Sequence, residues 1–298
     1  MANGHKVPFD SPEAPVQISF VQPEYYNFYD GQYKIGYTPW ESTVLPEFWF
    51  EHMEQCDEIW TTSDWCAEVF RDRGVTKPLY VYEHGVDKMW TPHKRIRREK
   101  LKFLHIGEPA PRKAAQKALD IFREAFGDQD DVQLTIKAHN INTTRVYDRM
   151  GSIITTPDKL KNVRIISLDY PREQMVSLYW SHDVLVYPSW GEGFGFIPAQ
   201  ALATGMPTIC TGEWAPYRTW LNDLELSSHP AESPWQHSHP GYMNEPDDQA
   251  IYDAYRLAYD DFENQSDIFY NQAEPFRTRY DWNNLTRKAF AHVVKKFA

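Results

Sequence analysis

The stretch that most constrains this chain is Asp183–Gly212, DVLVYPSWGEGFGFIPAQALATGMPTICTG. The apolar run Val184-Leu185-Val186-Tyr187 reads as a buried strand and stops at Pro188. A small turning segment, Ser189-Trp190-Gly191, leads into Glu192-Gly193-Phe194-Gly195 and a helix-compatible run from Ile197 to Thr204. Gly205 is placed to end that helix, Pro207 prevents its return, and Thr208-Ile209-Cys210 reads as the next buried strand. A strand, a glycine loop, a helix N-terminus and a strand make one unit of a parallel α/β sheet, and its loop is suited to an anion.

The rest of the chain alternates in the same way. Val16–Val21, Tyr33–Tyr37, Glu58–Thr62 and Leu79–Tyr82 are candidate strands. Tyr25, Tyr26, Phe28 and Tyr29 form an aromatic patch around a turn at Asp30-Gly31. Between the strands, Glu47–Gln55 is an expected helix with Phe48 and Met53 on its core face. Ser63 is an expected N-cap for a second helix, Asp64–Arg73, closed by Gly74. After Leu101 come a strand at Lys102–Ile106, a helix at Lys113–Phe126, strands at Val132–Lys137 and Val163–Ser167, and a helix from Pro171 to Trp180. Ser227–Pro246 reads as a loop rich in His, Pro and Ser. From Asp247 the chain is helical to its amphipathic end at Leu285–Phe297.

At 298 residues the chain suits two α/β domains, and 42% apolar residues suffice for two cores. No N-terminal stretch has a signal-peptide pattern and no run is apolar enough to span a membrane, so a cytoplasmic protein without membrane insertion is expected. Cys56, Cys66 and Cys210 are widely spaced in apolar patterns and are expected to be buried free thiols. His229, His237 and His239 lack carboxylate or thiol neighbours at ligand spacing, and no metal site is expected. The net charge of −11 speaks against a generic nucleic-acid binder. Between Lys88 and Lys117, however, ten basic residues face only Glu99 and Glu108, a local excess that can concentrate an anionic partner such as DNA.

Five pieces in order, KIGYTPWES, DEIWTTS, HGVD, FLHIG with Arg112-Lys113, and VYPSWGEGFGFIPAQALATGMPTI, resemble retaining nucleotide-sugar glycosyltransferases of the GT4 type. That family has two Rossmann-like domains in the GT-B arrangement. The resemblance implies a shortened N-terminal acceptor-side domain (1–93), a donor-binding domain (94–278) and a C-terminal crossover helix (279–298) packing back across the two. It implies a metal-independent hexosyltransferase that needs no cofactor and takes its sugar from a UDP-glucose-like donor. Glu192 and Lys113 are then the catalytic pair. The donor site comprises Gly107, Arg112, Lys113, Leu168, Asp169, Glu192, Gly193, Phe194, Gly195, Phe196 and Gln200. Trp40, Glu41 and Ser42 are expected on the acceptor side.

Two residues depart from the family pattern. Gln200 stands where a carboxylate would hold the ribose diol, and Glu108 stands where an arginine often follows the first glycine of the phosphate loop. The compact chain resembles glycosyltransferases carried by bacteriophages, which makes hydroxymethylated pyrimidine in phage DNA the first acceptor to consider. A protein or surface glycan is the alternative acceptor. A non-catalytic nucleotide-sugar binding module is a further alternative.

Overall fold

The computed structural model describes residues 15–28, 31–108, 110–138 and 161–297. The first sheet holds β1 (Val16–Phe20), β2 (Tyr33–Tyr37), β3 (Glu58–Thr61) and β4 (Leu79–Val81), all parallel and side by side in chain order. Helices α1 (Phe48–Glu54) and α2 (Asp64–Asp72) supply its core. Ser63 caps α2 as expected, its hydroxyl accepting from the Cys66 N–H at 3.2 Å. One expectation fails here: α1 buries Met53 as expected, but Trp49 rather than Phe48, which is 56% exposed. The aromatic patch after β1 is a 3₁₀ helix, Pro23–Phe28, with Tyr26 packed where a Cβ on Gly36 would fall. Tyr29, Asp30 and the expected turn at Asp30 lie outside the described residues.

The second sheet has six parallel strands: β5 (Leu101–Ile106), β6 (Val132–Lys137), β7 (Val163–Ile166), β8 (Val184–Tyr187), β9 (Thr208–Thr211) and β10 (Glu225–Leu226). Their spatial order is β10-β9-β8-β5-β6-β7. This is the doubly wound Rossmann order, in which the winding reverses between the first and fourth strands, here β5 and β8. Helices α3 (Ala115–Phe126), α4 (Arg172–Trp180) and α5 (Phe196–Ala203) connect the strands. Every residue of β8 and β9 is buried, which is why they read as unbroken apolar runs rather than alternating ones. Gly205, at φ +69°, ends α5: its N–H bonds the Leu202 carbonyl and the Met206 N–H bonds the Ala201 carbonyl.

Ser227–Pro246 is not the loop its composition implies. Ser228–Glu232 (β11) and Tyr242–Pro246 (β12) pair as an antiparallel hairpin. Its tip reaches the first domain, where the Thr43 N–H donates to the Tyr242 carbonyl and the Tyr242 N–H donates to the Thr43 hydroxyl oxygen.

The expected crossover of the C-terminal helix is present. After α6 (Asp248–Asp260) and α7 (Phe262–Arg279), the chain passes beside the hinge at Val86, whose N–H bonds the Tyr280 carbonyl at 2.8 Å. Helix α8 (Trp282–Phe297) then lies on the first sheet, anchored at the buried Glu58, which receives Tyr33, Trp60, His292 and Lys296. Gly85 lies under this crossing: a Cβ there would meet the Tyr280 carbonyl at 2.7 Å and the Trp282 Cα at 2.8 Å. The fold is α/β, with two Rossmann-like domains and a C-terminal helix spanning them.

Candidate active site

At the reversal between β5 and β8, two loops leave the carboxyl ends of neighbouring strands and a crevice forms between them. The loop after β5 closes with a 3₁₀ turn, Pro111–Lys113, that puts Arg112 and Lys113 next to each other. The loop after β8 carries Ser189 and Glu192. The two loops are tied through the Arg112 carbonyl, which accepts from the Trp190 N–H at 2.9 Å and the Ser189 hydroxyl at 3.3 Å. Gly107 gives the Lys113 stem its path, since a Cβ there would lie 3.3 Å from the Lys113 Cβ.

Glu192 is the hub of this crevice and is only 8% exposed. Its Oε1 accepts from Lys113 Nζ, from Arg112 Nη1 at 2.9 Å, from the Ser189 hydroxyl at 2.7 Å and from the Tyr187 hydroxyl at 2.9 Å. Burial alone would raise its pKa, but the Lys113 and Arg112 charges outweigh burial and hold it at about 2. Burial pushes Lys113 down from the ordinary lysine value despite the adjacent carboxylate. Glu192 is therefore ionised at neutral pH, with the cost of burying it offset by Lys113, Arg112 and two hydroxyls. Tyr187 and Ser189 were not singled out from the sequence. They lie five and three positions before Glu192, within the same motif.

The glycines of this loop meet protein rather than open space. A Cβ on Gly193 would fall inside contact distance of Pro39, and one on Gly191 inside that of the Glu41 carbonyl. The Gly193 carbonyl accepts from the hydroxyl of Thr62. Gly195 adopts φ +78° at the start of α5, and its carbonyl accepts from Tyr217 at 2.6 Å. The first domain and the Trp214–Tyr217 wall therefore already leave no room for a side chain at Gly193 and Gly195. Helix α5 still begins without a side-chain cap, which leaves its first N–H groups available to an anion.

The expected site residues divide. Gly107, Arg112, Lys113, Glu192, Gly193 and Gly195 come together at the reversal point. Phe194 is buried, packed on His84, Tyr217 and Tyr280, so its side chain does not face a ligand. Phe196 is 43% exposed at the mouth and stacks on His84 at 5.0 Å. Leu168 and Asp169 are exposed at the same sheet edge, beyond β7. Gln200 lines a cavity of about 420 Å3, its amide oxygen accepting from the Tyr179 hydroxyl at 3.2 Å.

The trio expected on the acceptor side lies beside the hairpin. Trp40 and Ser42 are buried, and Trp40 stacks on His239 at 4.7 Å. Glu41 pairs with His239 at 3.0 Å. Trp40 and Glu41 thereby tie the hairpin to the first domain.

Six residues of the basic window have partners within the fold. Arg95 is buried and donates to the carbonyls of Tyr179, His182 and Thr204, near the C-terminal ends of α4 and α5, where a cation also meets the helix dipoles. Arg97 bonds the Tyr259 carbonyl and stacks on its ring. Lys94 pairs with Asp267, Lys117 with Glu245 and Asp248, and Arg112 and Lys113 with Glu192. Lys88 and Arg98, of the same window, are exposed.

Cys56, Cys66 and Cys210 are free and buried, as expected. Among the described residues no group of three His, Cys, Asp or Glu side chains stands together in a way that would hold a metal. Among them, too, no helix is long and apolar enough to cross a membrane.

Comparison with known proteins agrees with this geometry. A family model described as "Family 4 Glycosyltransferase in conflict systems" matches residues 62–284. A protein described as "Putative glycosyltransferase 45", from Sulfolobus islandicus filamentous virus (isolate Iceland/Hveragerdi), is 22% identical over 251 residues, 81% of this chain and 67% of that protein. Among solved structures, sucrose-phosphate synthase from Thermosynechococcus elongatus superposes with a TM-score of 0.67 at 13% identity, over 95% of this chain and 74% of that one. TarM superposes with a TM-score of 0.65 at 13% identity, over 93% of this chain but only 54% of its own length. A structure of the pneumococcal O-GlcNAc transferase GtfA in complex with UDP and GlcNAc has a TM-score of 0.59 at 14% identity, over 88% of this chain and 52% of that one. With three quarters of its length matched by one family model, the chain belongs to the family 4 glycosyltransferases of conflict systems.

Proposed function

We infer that this glycosyltransferase transfers a hexose, with retention of configuration, from a nucleoside diphosphate sugar to an acceptor hydroxyl. The observation that carries the reading is Lys113, Arg112 and the uncapped start of α5 converging at the winding reversal, with Glu192 between them. The diphosphate meets Lys113, Arg112 and the α5 N–H groups. As the bond between the anomeric carbon and the phosphate oxygen breaks, negative charge grows on that oxygen, and donors fixed there favour the transition state over the bound donor. Once the phosphate engages Lys113, the Glu192 carboxylate keeps Ser189 and Tyr187 and turns toward the sugar hydroxyls. The acceptor oxygen attacks from the face the leaving group vacates, and its proton passes to a phosphate oxygen. No metal or cofactor enters this scheme. Three buried thiols are consistent with a reducing cytoplasm.

UDP is the donor nucleotide we favour, because structural neighbours are described as complexes with UDP. For the acceptor, the exposed Lys88 and Arg98 of the basic window favour hydroxymethylated DNA, whereas the −11 charge and the pairing of Lys94 and Lys117 with carboxylates favour a hydroxyl on a protein or glycan. The deciding experiment incubates the chain with UDP-sugars and, separately, hydroxymethylated duplex DNA, host protein and glycan, followed by mass spectrometry of each acceptor. A sugar mass on DNA, with association that weakens steeply with salt, selects the first; a sugar mass on protein or glycan selects the second. Donor binding in calorimetry without hydrolysis or transfer to any acceptor would instead make the chain a binding module.

A further inference from the structure

The cavity that Gln200 lines is bounded on its other side by the hinge. Asp87, Tyr170, Arg172, Phe196 and Trp282 line it together with Gln200. Its volume, about 420 Å3, is in the range of a small-molecule site. Gln200 lies four residues beyond Phe196, roughly 6 Å along α5 from its N-terminus. A ligand whose phosphates lie at the start of α5 therefore has its nucleoside within reach of this cavity.

Two neighbouring ribose hydroxyls need acceptors. The Gln200 amide oxygen already receives Tyr179, so this side chain offers the cavity mainly its NH2 donors. Among the described residues lining the cavity, the carboxylate is Asp87. It is held in place by its own backbone turn, Oδ1 accepting from the Met89 N–H at 3.1 Å, while Oδ2 pairs with Arg172. The Arg172 side chain is 71% exposed, so the pair is screened by water and readily exchanged. A second cavity of about 380 Å3 shares Asp87, Arg172 and Trp282, so the pair spans the boundary between two open volumes.

We propose that Asp87, reaching in from the hinge, accepts the vicinal ribose hydroxyls of the donor nucleotide in the cavity it shares with Gln200, displacing Arg172. This rests on the donor reading above. It gives the ribose a charge-assisted acceptor that position 200 does not supply, and it makes the hinge itself part of the nucleotide site.

The test is calorimetric titration of the full chain with UDP and with 2′-deoxy-UDP. Wild type should bind UDP about 10- to 100-fold more tightly, the worth of one hydrogen bond to a charged group. Asp87→Asn, which keeps an oxygen for the Met89 N–H, should collapse that ratio to about threefold or less, and Gln200→Glu added to it should restore discrimination. Asp87→Ser gives a second reading should the asparagine variant fold poorly, and Arg172→Gln should bind UDP at least as well as wild type. If UDP binds and the Asp87 variants keep the wild-type ratio, the assignment of Asp87 is overturned and the donor reading stands. If wild type binds none of UDP, GDP or ADP, the donor reading falls and takes this proposal with it.

Discussion

The Thr62 hydroxyl donates to the Gly193 carbonyl across 131 positions of sequence, joining the carboxyl edge of the first sheet to the loop that carries Glu192. Pro39 packs on the same glycine, and the Cys66 thiol shares its carbonyl at 3.6 Å. The two domains thus meet at the backbone of the candidate active site, and the position of Glu192 depends on that contact. Gly193→Ala should push Pro39 away and destabilise the chain by about 1–3 kcal/mol, the usual range for overpacking. Urea unfolding measures it. An alanine variant as stable as wild type would mean that the domains do not close in this way in solution.

Lys113 and Glu192 should separate in mutagenesis. Removing Lys113 leaves the carboxylate with Arg112, Ser189 and Tyr187, so Lys113→Ala should fold while losing about tenfold or more in UDP affinity, as expected for a charge-assisted contact. Removing Glu192 leaves two buried cations facing each other, so Glu192→Ala should lose about 3–5 kcal/mol of stability as well as turnover. Thermal unfolding beside donor hydrolysis distinguishes the two. Glu192→Ala with wild-type stability would remove Glu192 as the organising charge of the crevice.

Stability should fall in acid well before the carboxylates titrate. Burial lowers His84, His105 and His182 from 6.5 to about 4, so the unfolded chain binds protons there that the folded one does not. Their contribution is complete above pH 6.5 and is lost as pH falls toward 4, at most about 3 kcal/mol for each histidine. Glu192 adds a second window: its depressed pKa gives stability that is full above 4.5 and lost as pH falls toward 2. Urea midpoints measured from pH 7 to pH 4 should decline throughout. A flat profile from 6.5 to 4.5 would show that these histidines are hydrated.

Much of this architecture was legible because strands such as Val184–Tyr187 are buried on both faces, and because stop signals such as Gly205-Met206-Pro207 act locally. Lys113 and Glu192 were legible because residue type and motif spacing name them. The hairpin β11–β12 was not. His229, Pro230 and the intervening polar residues lack strand composition, and the pairing is supported by ties to Lys117 and Thr43 in other elements. For Trp40, Glu41 and Ser42 the motif marks a place in the chain but does not reveal that Trp40 and Glu41 meet His239 of the hairpin or that Ser42 is buried. Charge counted along the sequence does not reveal that Arg95 turns inward to cap two helices.

Glu58 provides the last expectation, about how the crossover helix is held. Its carboxylate is fully buried in β3 and receives the Trp60 indole at 3.0 Å, His292 at 3.1 Å and Lys296 at 3.1 Å. Truncating it strands the indole N–H and the imidazole beneath α8, whereas truncating Lys296 removes only a partner whose side chain is 37% exposed. Glu58→Ala should therefore lose about 2–3 kcal/mol and Lys296→Ala no more than about 1 kcal/mol. Limited proteolysis should also cut α8 faster in the Glu58 variant, because the lost contacts join that helix to the first sheet. Equal costs for the two variants would place the anchor elsewhere on α8, at Leu285 or at the Val86–Tyr280 crossing.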